Sequence, residues 1–356
     1  MIDNKNLNIY GWNDYFEAHF QDFDANEFIP ARVSVEHRKY YEVYTSQGEL
    51  TVSKSGKLFH NITDYPAVGD WLVVKTVPGE DKAIIEAILP RKTKFSRKKA
   101  GATTEEQIIA ANVDIVFLVS SLNQDLNLRR IERYLTLAWD NDVMPVIVLN
   151  KSDLCDNVEQ AVSEVDTIAF NTPIHAVSAL NNDHIDELMK YFEGNNTIAV
   201  IGSSGVGKST IINDICSDDK MNVSDIGLYK DKGRHTTTHR ELMLVPGGGL
   251  IIDTPGMREI QLWEGAEGLS EQFDDIEQLS LECKFTDCKH DAEPGCAINE
   301  ALNTGVITQE RLKSYKKLLN EVKYFERKHD IKAKLTEKKK WKKISVEAKK
   351  IGKEKH

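Results

Sequence analysis

The chain has 356 residues, 40% of them hydrophobic and 29% charged, with a formal net charge of −10. That length can bury more than one core and suggests two or three domains. No apolar stretch approaches the ~20 residues of a membrane span, and Met-Ile-Asp-Asn-Lys does not open like a secretory signal, which excludes membrane-embedded and exported classes and leaves a cytoplasmic protein, expected to be a monomer.

Residues 30–92 hold five short alternating runs, Ala31 to Glu36, Tyr41 to Thr45, Glu49 to Ser53, Asp70 to Thr76 and Ala83 to Leu89, separated by Gly, Pro, Asn and Asp turn signals. Five such strands predict a small β-barrel of the OB type, whose common ligands are oligonucleotides. Tyr40, Tyr41, Tyr44 and Phe59 are candidates to stack on bases or to fill the barrel core. Arg91 to Lys99 follows with six cations around Phe95, a basic linker that is either a solvated charge run or a phosphate contact.

Val143 to Leu149 reads as a strand, and it ends at Asn150-Lys151-Ser152-Asp153. Carboxyl ends of strands are where α/β sheets bind ligands. The Asp153 carboxylate can accept from both N1–H and the exocyclic amine of guanine, and adenine offers neither donor there, so this residue selects GTP over ATP. Asn150 would support the base edge and the Lys151 stem would pack on the ring. Ser178-Ala179-Leu180, after the apolar run Ile174 to Val177, fits a loop whose backbone N–H meets guanine O6.

Thr197 to Ile201 reads as a buried strand, Gly202-Ser203-Ser204-Gly205-Val206-Gly207-Lys208-Ser209-Thr210 as a phosphate-binding loop, and Ser209 to Cys216 as the helix after it. Glycines let backbone N–H groups turn toward phosphate oxygens, and the helix N-terminus adds partial positive charge. Lys208 would reach the β- and γ-phosphates, with the Ser209 hydroxyl on Mg²⁺.

Gly233-Arg-His-Thr-Thr-Thr238 is a candidate first switch, with Thr237, or next Thr236, as the threonine that closes over Mg²⁺. Asp253-Thr-Pro-Gly256 follows the strand Leu250 to Ile252. Asp253 would hold Mg²⁺ through water and the Gly256 N–H would sense the γ-phosphate. Position 257 is methionine where Ras-like proteins carry a glutamine that orients the attacking water, so unaided hydrolysis is expected to be slow. His235 is the nearest substitute as catalytic base, beside Lys208 and Thr237 in the catalytic set.

Cys283, Cys288, His290 and Cys296 lie within fourteen residues, a closed Cys₃His set of the kind that holds one structural zinc. Cys155 and Cys216 read as ordinary reduced thiols. From Arg311 to His356 there are 18 Lys and Arg against six Asp and Glu, a tail of +12 that leaves −22 on the rest. It reads as a helix running into a lysine-rich arm suited to phosphate backbones.

The motif order, Asn-Lys-Ser-Asp and Ser-Ala-Leu before the phosphate loop, is the reverse of that in most GTPases and resembles the circularly permuted ones. With Gln107 to Asp114 and Arg129 to Leu135 it is similar to the RsgA family, also called YjeQ or EngC, over nearly the whole chain. The resemblance implies an N-terminal OB-fold barrel at 1–100 including the basic linker, a circularly permuted α/β P-loop GTPase domain at 101–268, and a mainly helical zinc-binding domain with a basic tail at 269–356. It also implies a GTP hydrolase of late 30S ribosomal subunit maturation that binds 16S rRNA, cycles between GTP and GDP, leaves after subunit-stimulated hydrolysis, and can help dislodge other assembly factors. The competing expectation is a GTP-regulated RNA-binding protein whose partner is not the ribosome and for which hydrolysis is incidental.

Overall fold

The computed structural model describes residues 4–53, 65–77, 79, 82–98, 106–123, 126–169, 171–217, 240–253, 269–270, 272–286, 288–291, 293–320 and 322–323. They fall in two compact units, Met1–Arg97 with Gln107–Ile260, and Lys98–Glu106 with Gln261–His356.

The first unit opens with a 3₁₀ turn, Asn4–Tyr10, and a short helix α1 (Asp14–Phe20), whose N-cap Asn13 side chain accepts from the Tyr15 N–H at 3.1 Å. Seven residues are too few for a helix to persist alone. Packing holds this one: Trp12, Phe16 and Phe20 cluster with the buried Trp71, the two indoles meeting edge to face at 4.6 Å. Neither element is expected from the sequence alone.

Five strands follow, β1 (Ile29–Glu36), β2 (Tyr40–Thr45), β3 (Gly48–Ser53), β4 (Trp71–Thr76) and β5 (Lys82–Ile88). They pair in the order β1-β2-β3-β5-β4, and β4 returns to β1 to close a barrel of OB-like topology. The first half of β1 faces β4, with Arg32 opposite Trp71, and its second half faces β2, with Glu36 opposite Tyr41. An irregularity between Val33 and Val35 bends the strand so that it can serve both partners. Tyr41 and Tyr44 are buried and belong to the core, which removes them as base platforms, whereas Tyr40 is 38% exposed. Phe59 lies outside the described residues.

Part of the basic run, expected as a solvated charge run or a phosphate contact, is engaged within the protein. Arg91 chelates the buried Asp70 through Nε and Nη2 at 2.7 and 2.8 Å, Lys92 pairs with Asp114 at 3.2 Å, and Phe95 is fully buried. Its continuation, β6 (Lys94–Lys98), pairs with β7 (Glu106–Ala111) as a separate ribbon.

The α/β part comprises β8 (Ile115–Ser121), α2 (Leu128–Trp139), β9 (Met144–Asn150), α3 (Val158–Asp166), β10 (Ile174–Ala176), β11 (Thr197–Gly202), α4 (Lys208–Cys216), β12 (Glu241–Leu244) and β13 (Leu250–Asp253). Its order is β10-β9-β8-β11-β13-β12, parallel except for β12. Parallel strands covered on both faces need continuous apolar runs, and Val146 to Leu149 and Ile198 to Ile201 supply them, all fully buried. Ile211, Ile212 and Ile215 of α4 pack into the same core. Strand order reverses direction around β8 and β11, so a crevice opens at their carboxyl ends. The barrel and this sheet are joined: Val35 of β1 pairs with Glu241 of β12, giving one eleven-stranded sheet.

In the second unit, α5 (Asp274–Leu281) and α6 (Ala297–Thr304) flank the Cys/His segment, and residues 309–320 form a further helical stretch. Gly305, at φ 76°, caps α6 in the left-handed conformation. Arg311 fixes this unit's small core, bidentate to Asp275 at 2.7 and 2.8 Å and stacked over Phe273 at 4.8 Å. The lysine-rich arm beyond 323 lies outside the described residues. Among those described, no helix is long and apolar enough to cross a membrane.

Candidate active site and metal centre

Asn150 is the last residue of β9 and is almost wholly buried. Its Nδ2 donates to the Val206 carbonyl at 2.8 Å, and its Oδ1 accepts from the Ala179 N–H at 3.0 Å. Lys151 turns the chain at φ 65°, a left-handed conformation, and its ammonium donates to the Gly205 carbonyl at 2.7 Å. Ser152 N–H is received by the Val177 carbonyl at 3.1 Å. Three loops from β9, β10 and β11 are thus stitched into one surface.

Asp153 stands exposed on that surface, inside the short turn Ser152–Leu154. The buried Ser178 hydroxyl donates to its Oδ1 at 2.5 Å. One carboxylate oxygen is thereby oriented, which prepares an acceptor for paired donors on a base edge. From sequence this loop is expected to offer a backbone N–H to guanine O6. The structure adds a side-chain role for Ser178, and it engages the Ala179 N–H with Asn150. The hydroxyl type at 178 was the available signal. Leu180 is 81% exposed at the tip of the turn closed by the Ser178 to Asp183 pairing.

The phosphate loop is shaped by close backbone approaches. Gly202 adopts φ 156°, where a Cβ would strike the Val119 carbonyl of β8, and Gly207 adopts φ 99°, where one would strike Asn150 Nδ2. Only glycine fits either place. The Lys208 ammonium donates to the carbonyls of Gly202 and Ser203 at 2.8 and 2.7 Å, spanning the root of the loop. Ser204, Gly205, Ser209 and Thr210 are exposed beside the N-terminus of α4, where orphan N–H groups and the helix dipole favour an anion.

Asp253 ends β13 opposite Val200 of β11 and is buried, two positions short of the phosphate loop's Gly202 in register. A serine hydroxyl and a carboxylate are oxygen donors of the type a hard divalent cation takes when it also binds phosphate. His235, Thr236, Thr237, Gly256 and Met257 lie outside the described residues.

In the second unit, Cys283, Cys288, His290 and Cys296 converge, their ligand atoms all within 4.8 Å of one another. Sγ of Cys283 lies 3.9 Å from Sγ of Cys296, and His290 Nδ1 lies 3.6 and 3.5 Å from those two sulfurs. A tetrahedron with ~2.3 Å metal–sulfur and ~2.05 Å metal–nitrogen bonds has edges of about 3.8 and about 3.6 Å. The donor set therefore fits zinc in both chemistry and size. Backbone turns support it: Lys284 N–H donates to the Gly295 carbonyl at 3.0 Å, and His290 sits at φ 59° so that Nδ1 points inward with the thiols.

Residues 88–263 match the family model described as RsgA GTPase. A small ribosomal subunit biogenesis GTPase RsgA from Opitutus terrae is 43% identical over 350 residues, 95% of each chain. The chain belongs to the RsgA GTPase family. An RsgA 1 from Oceanobacillus iheyensis is 44% identical over 92% of this chain and 95% of its own length. The crystal structure of YjeQ from Thermotoga maritima matches with a TM-score of 0.62 and 29% identity, covering 83% of this chain and 98% of that one. As an RsgA-family member the chain is a GTP-hydrolysing enzyme. Its fold is the circularly permuted one, with the base-reading strand preceding the phosphate-loop strand in sequence and lying beyond β8 from it in space.

Proposed function

We propose that this enzyme is a late-stage maturation factor of the small (30S) ribosomal subunit, which binds 16S rRNA, hydrolyses GTP to GDP and phosphate when the subunit stimulates it, and is then released. The observation that carries the nucleotide part is the union of base and phosphate loops, with Asn150 bonded to Val206 and Ser178 to Asp153. The partner is argued from the relatives, which are named small ribosomal subunit biogenesis GTPases.

The residue roles follow from position. Asp153 accepts from the guanine edge, Asn150 and Ala179 support it, and Lys151 covers the ring. Backbone N–H groups from Gly202 to Thr210 hold the phosphates. Lys208 exchanges its bonds to the Gly202 and Ser203 carbonyls for phosphate oxygens. Ser209, Thr237 and Asp253 would hold Mg²⁺, which would supply charge neutralisation to the phosphates. Thr237 and Gly256 report the γ-phosphate, and His235 orients the attacking water. Zinc, held by Cys283, Cys288, His290 and Cys296, organises the C-terminal unit.

The three-part division at residues 100 and 268 assigns rRNA contact to the barrel and to the basic tail. Tyr40, exposed on β2 and stacked on His37 at 4.3 Å, is the barrel tyrosine placed to meet a base. The enzyme works as a cytoplasmic monomer, and its departure helps displace other assembly factors. GTP turnover measured with and without purified small subunits tests this reading. Acceleration of about tenfold or more is expected. Equal rates would overturn it in favour of a GTP-regulated RNA-binding protein with another partner.

A further inference from the structure

Arg32 is an arginine inside the protein, 1% exposed, on the strand that the barrel and the GTPase sheet share. Its guanidinium donates to the Gly69 carbonyl at 3.3 Å, to the Asn112 carbonyl at 3.1 Å, to Thr197 Oγ1 at 2.9 Å and to the Tyr10 carbonyl. The four acceptors come from four places in the chain: the N-terminal turn, the loop before β4, the bend before β8, and the first residue of β11. Trp71 lies beneath the guanidinium, 5.6 Å from ring to carbon.

The acceptors are neutral, and the nearby carboxylates serve other groups. Asp70 is bound by Arg91 and the Ala67 N–H, and Asp114 by Lys92 and the Thr197 N–H. Burial lowers the Arg32 pKa to about 10, against the pull of Asp114 and Asp70, so it remains a cation at neutral pH. A buried charge is expensive, and an apolar side chain of like volume often stabilises as well or better. What an apolar side chain cannot do is fix four backbone segments in one plane of donors.

Thr197 begins β11, and the phosphate loop begins at its end, Gly202. Five steps of ~3.3 Å put the two about 17 Å apart. Arg32 therefore acts on the loop only through the register of β11 against β8 and β13. A parallel connection runs beside it: Tyr44 on β2 donates to the Leu242 carbonyl of β12 at 3.1 Å, and β12 pairs with β1 at Val35 and Glu241, four residues past Thr237.

We propose that Arg32 is a positioning residue of this GTPase, fastening the barrel to the root of the phosphate-loop strand so that what the barrel binds and how the nucleotide is held form one equilibrium. The inference rests on the reading of the barrel as the RNA-contacting part, but not on the identity of the RNA. Linkage makes the coupling reciprocal, so nucleotide must be felt in the barrel.

The test is hydrogen exchange read by mass spectrometry on the full chain, with and without GDP, for the parent, T197V and R32Q. T197V removes the 2.9 Å acceptor while leaving the guanidinium in place, and it decides the matter if R32Q fails to fold. GDP is expected to slow exchange about tenfold in parent peptides covering 29–36 and 71–76 and to lose most of that effect in T197V, with protection of 202–216 retained in both. Small-subunit-stimulated turnover should fall about tenfold in T197V with KM for GTP within about threefold. Barrel protection absent from the parent, equal in T197V, or lost together with protection of 202–216 would overturn the proposal. If subunits fail to accelerate the parent while GDP still protects its barrel and T197V abolishes that protection, the ribosomal reading falls and the positioning role stands.

Discussion

The Asn150 side-chain amide donates to the Val206 carbonyl of the phosphate loop at 2.8 Å while its oxygen accepts from Ala179 at 3.0 Å, so one residue spans the base-reading and phosphate-holding parts of the site. Loss of this side chain would therefore disturb both loops together. Each of the two bonds contributes about 1 kcal/mol net, and breaking them leaves buried partners unpaired at about 1–3 kcal/mol each. Asn150→Ala is therefore expected to weaken GDP binding about 100-fold or more in a fluorescent-nucleotide titration. Gly207→Ala should do at least as much harm, since its Cβ has no room beside Asn150 and the left-handed backbone costs about 1–3 kcal/mol.

We assign base choice to Asp153, whose carboxylate is oriented by Ser178 at 2.5 Å. Asp153→Asn replaces one acceptor by a donor and should cut GTP affinity by about 10³-fold while admitting xanthosine triphosphate, whose 2-oxygen accepts where guanine donates. Ser178→Ala keeps the charge but frees its orientation, with an expected loss of about tenfold. Competition titrations with GTP, ATP and xanthosine triphosphate read both effects.

The Cys₃His cluster predicts one zinc per chain by elemental analysis. Cys288→Ser, or a strong chelator, should strip the metal and expose 283–296 to proteolysis, because so small a knuckle is held by its ligands. GDP affinity should stay within about threefold, since the described nucleotide residues all lie in the other unit.

Burial pushes the Cys216 thiol up to about 12, with Glu241 adding to the shift. Its folded value lies above that of the unfolded thiol near 8.5, so the folded state holds the proton more tightly. Stability from this group is present below about pH 8.5 and is lost as pH rises toward about 12. Denaturation between pH 8 and 10.5 should show a shallower loss in Cys216→Ala than in the parent. In the native state at pH 8, Cys216 should also resist alkylation, since the thiolate is the reactive form.

Much of the site was legible because its chemistry is local. The glycine turn at 202–207, the Asn150 to Asp153 turn and the Cys/His cluster are each set by a few neighbouring residues. The β-strands of the barrel were legible from alternation, but alternation does not say which neighbours cover the outward face. Alternation leaves Tyr44 open as base platform or core, and it is core because Tyr10 stacks on it at 4.7 Å from far along the chain. Arg32 alternates with Ala31 and Val33 like a solvent-facing residue, yet Thr197 and Asn112 close over it. The helix at Asp14–Phe20 was missed for the same reason, its aromatic stripe having meaning only against Trp71.

In the proposed cycle the state of the nucleotide governs attachment to the small subunit. Co-sedimentation of the full chain with purified small subunits, in a non-hydrolysable GTP analogue, in GDP and without nucleotide, tests it most directly. Retention with the analogue and at least about tenfold weaker retention with GDP are expected. Equal retention in all three conditions would contradict it.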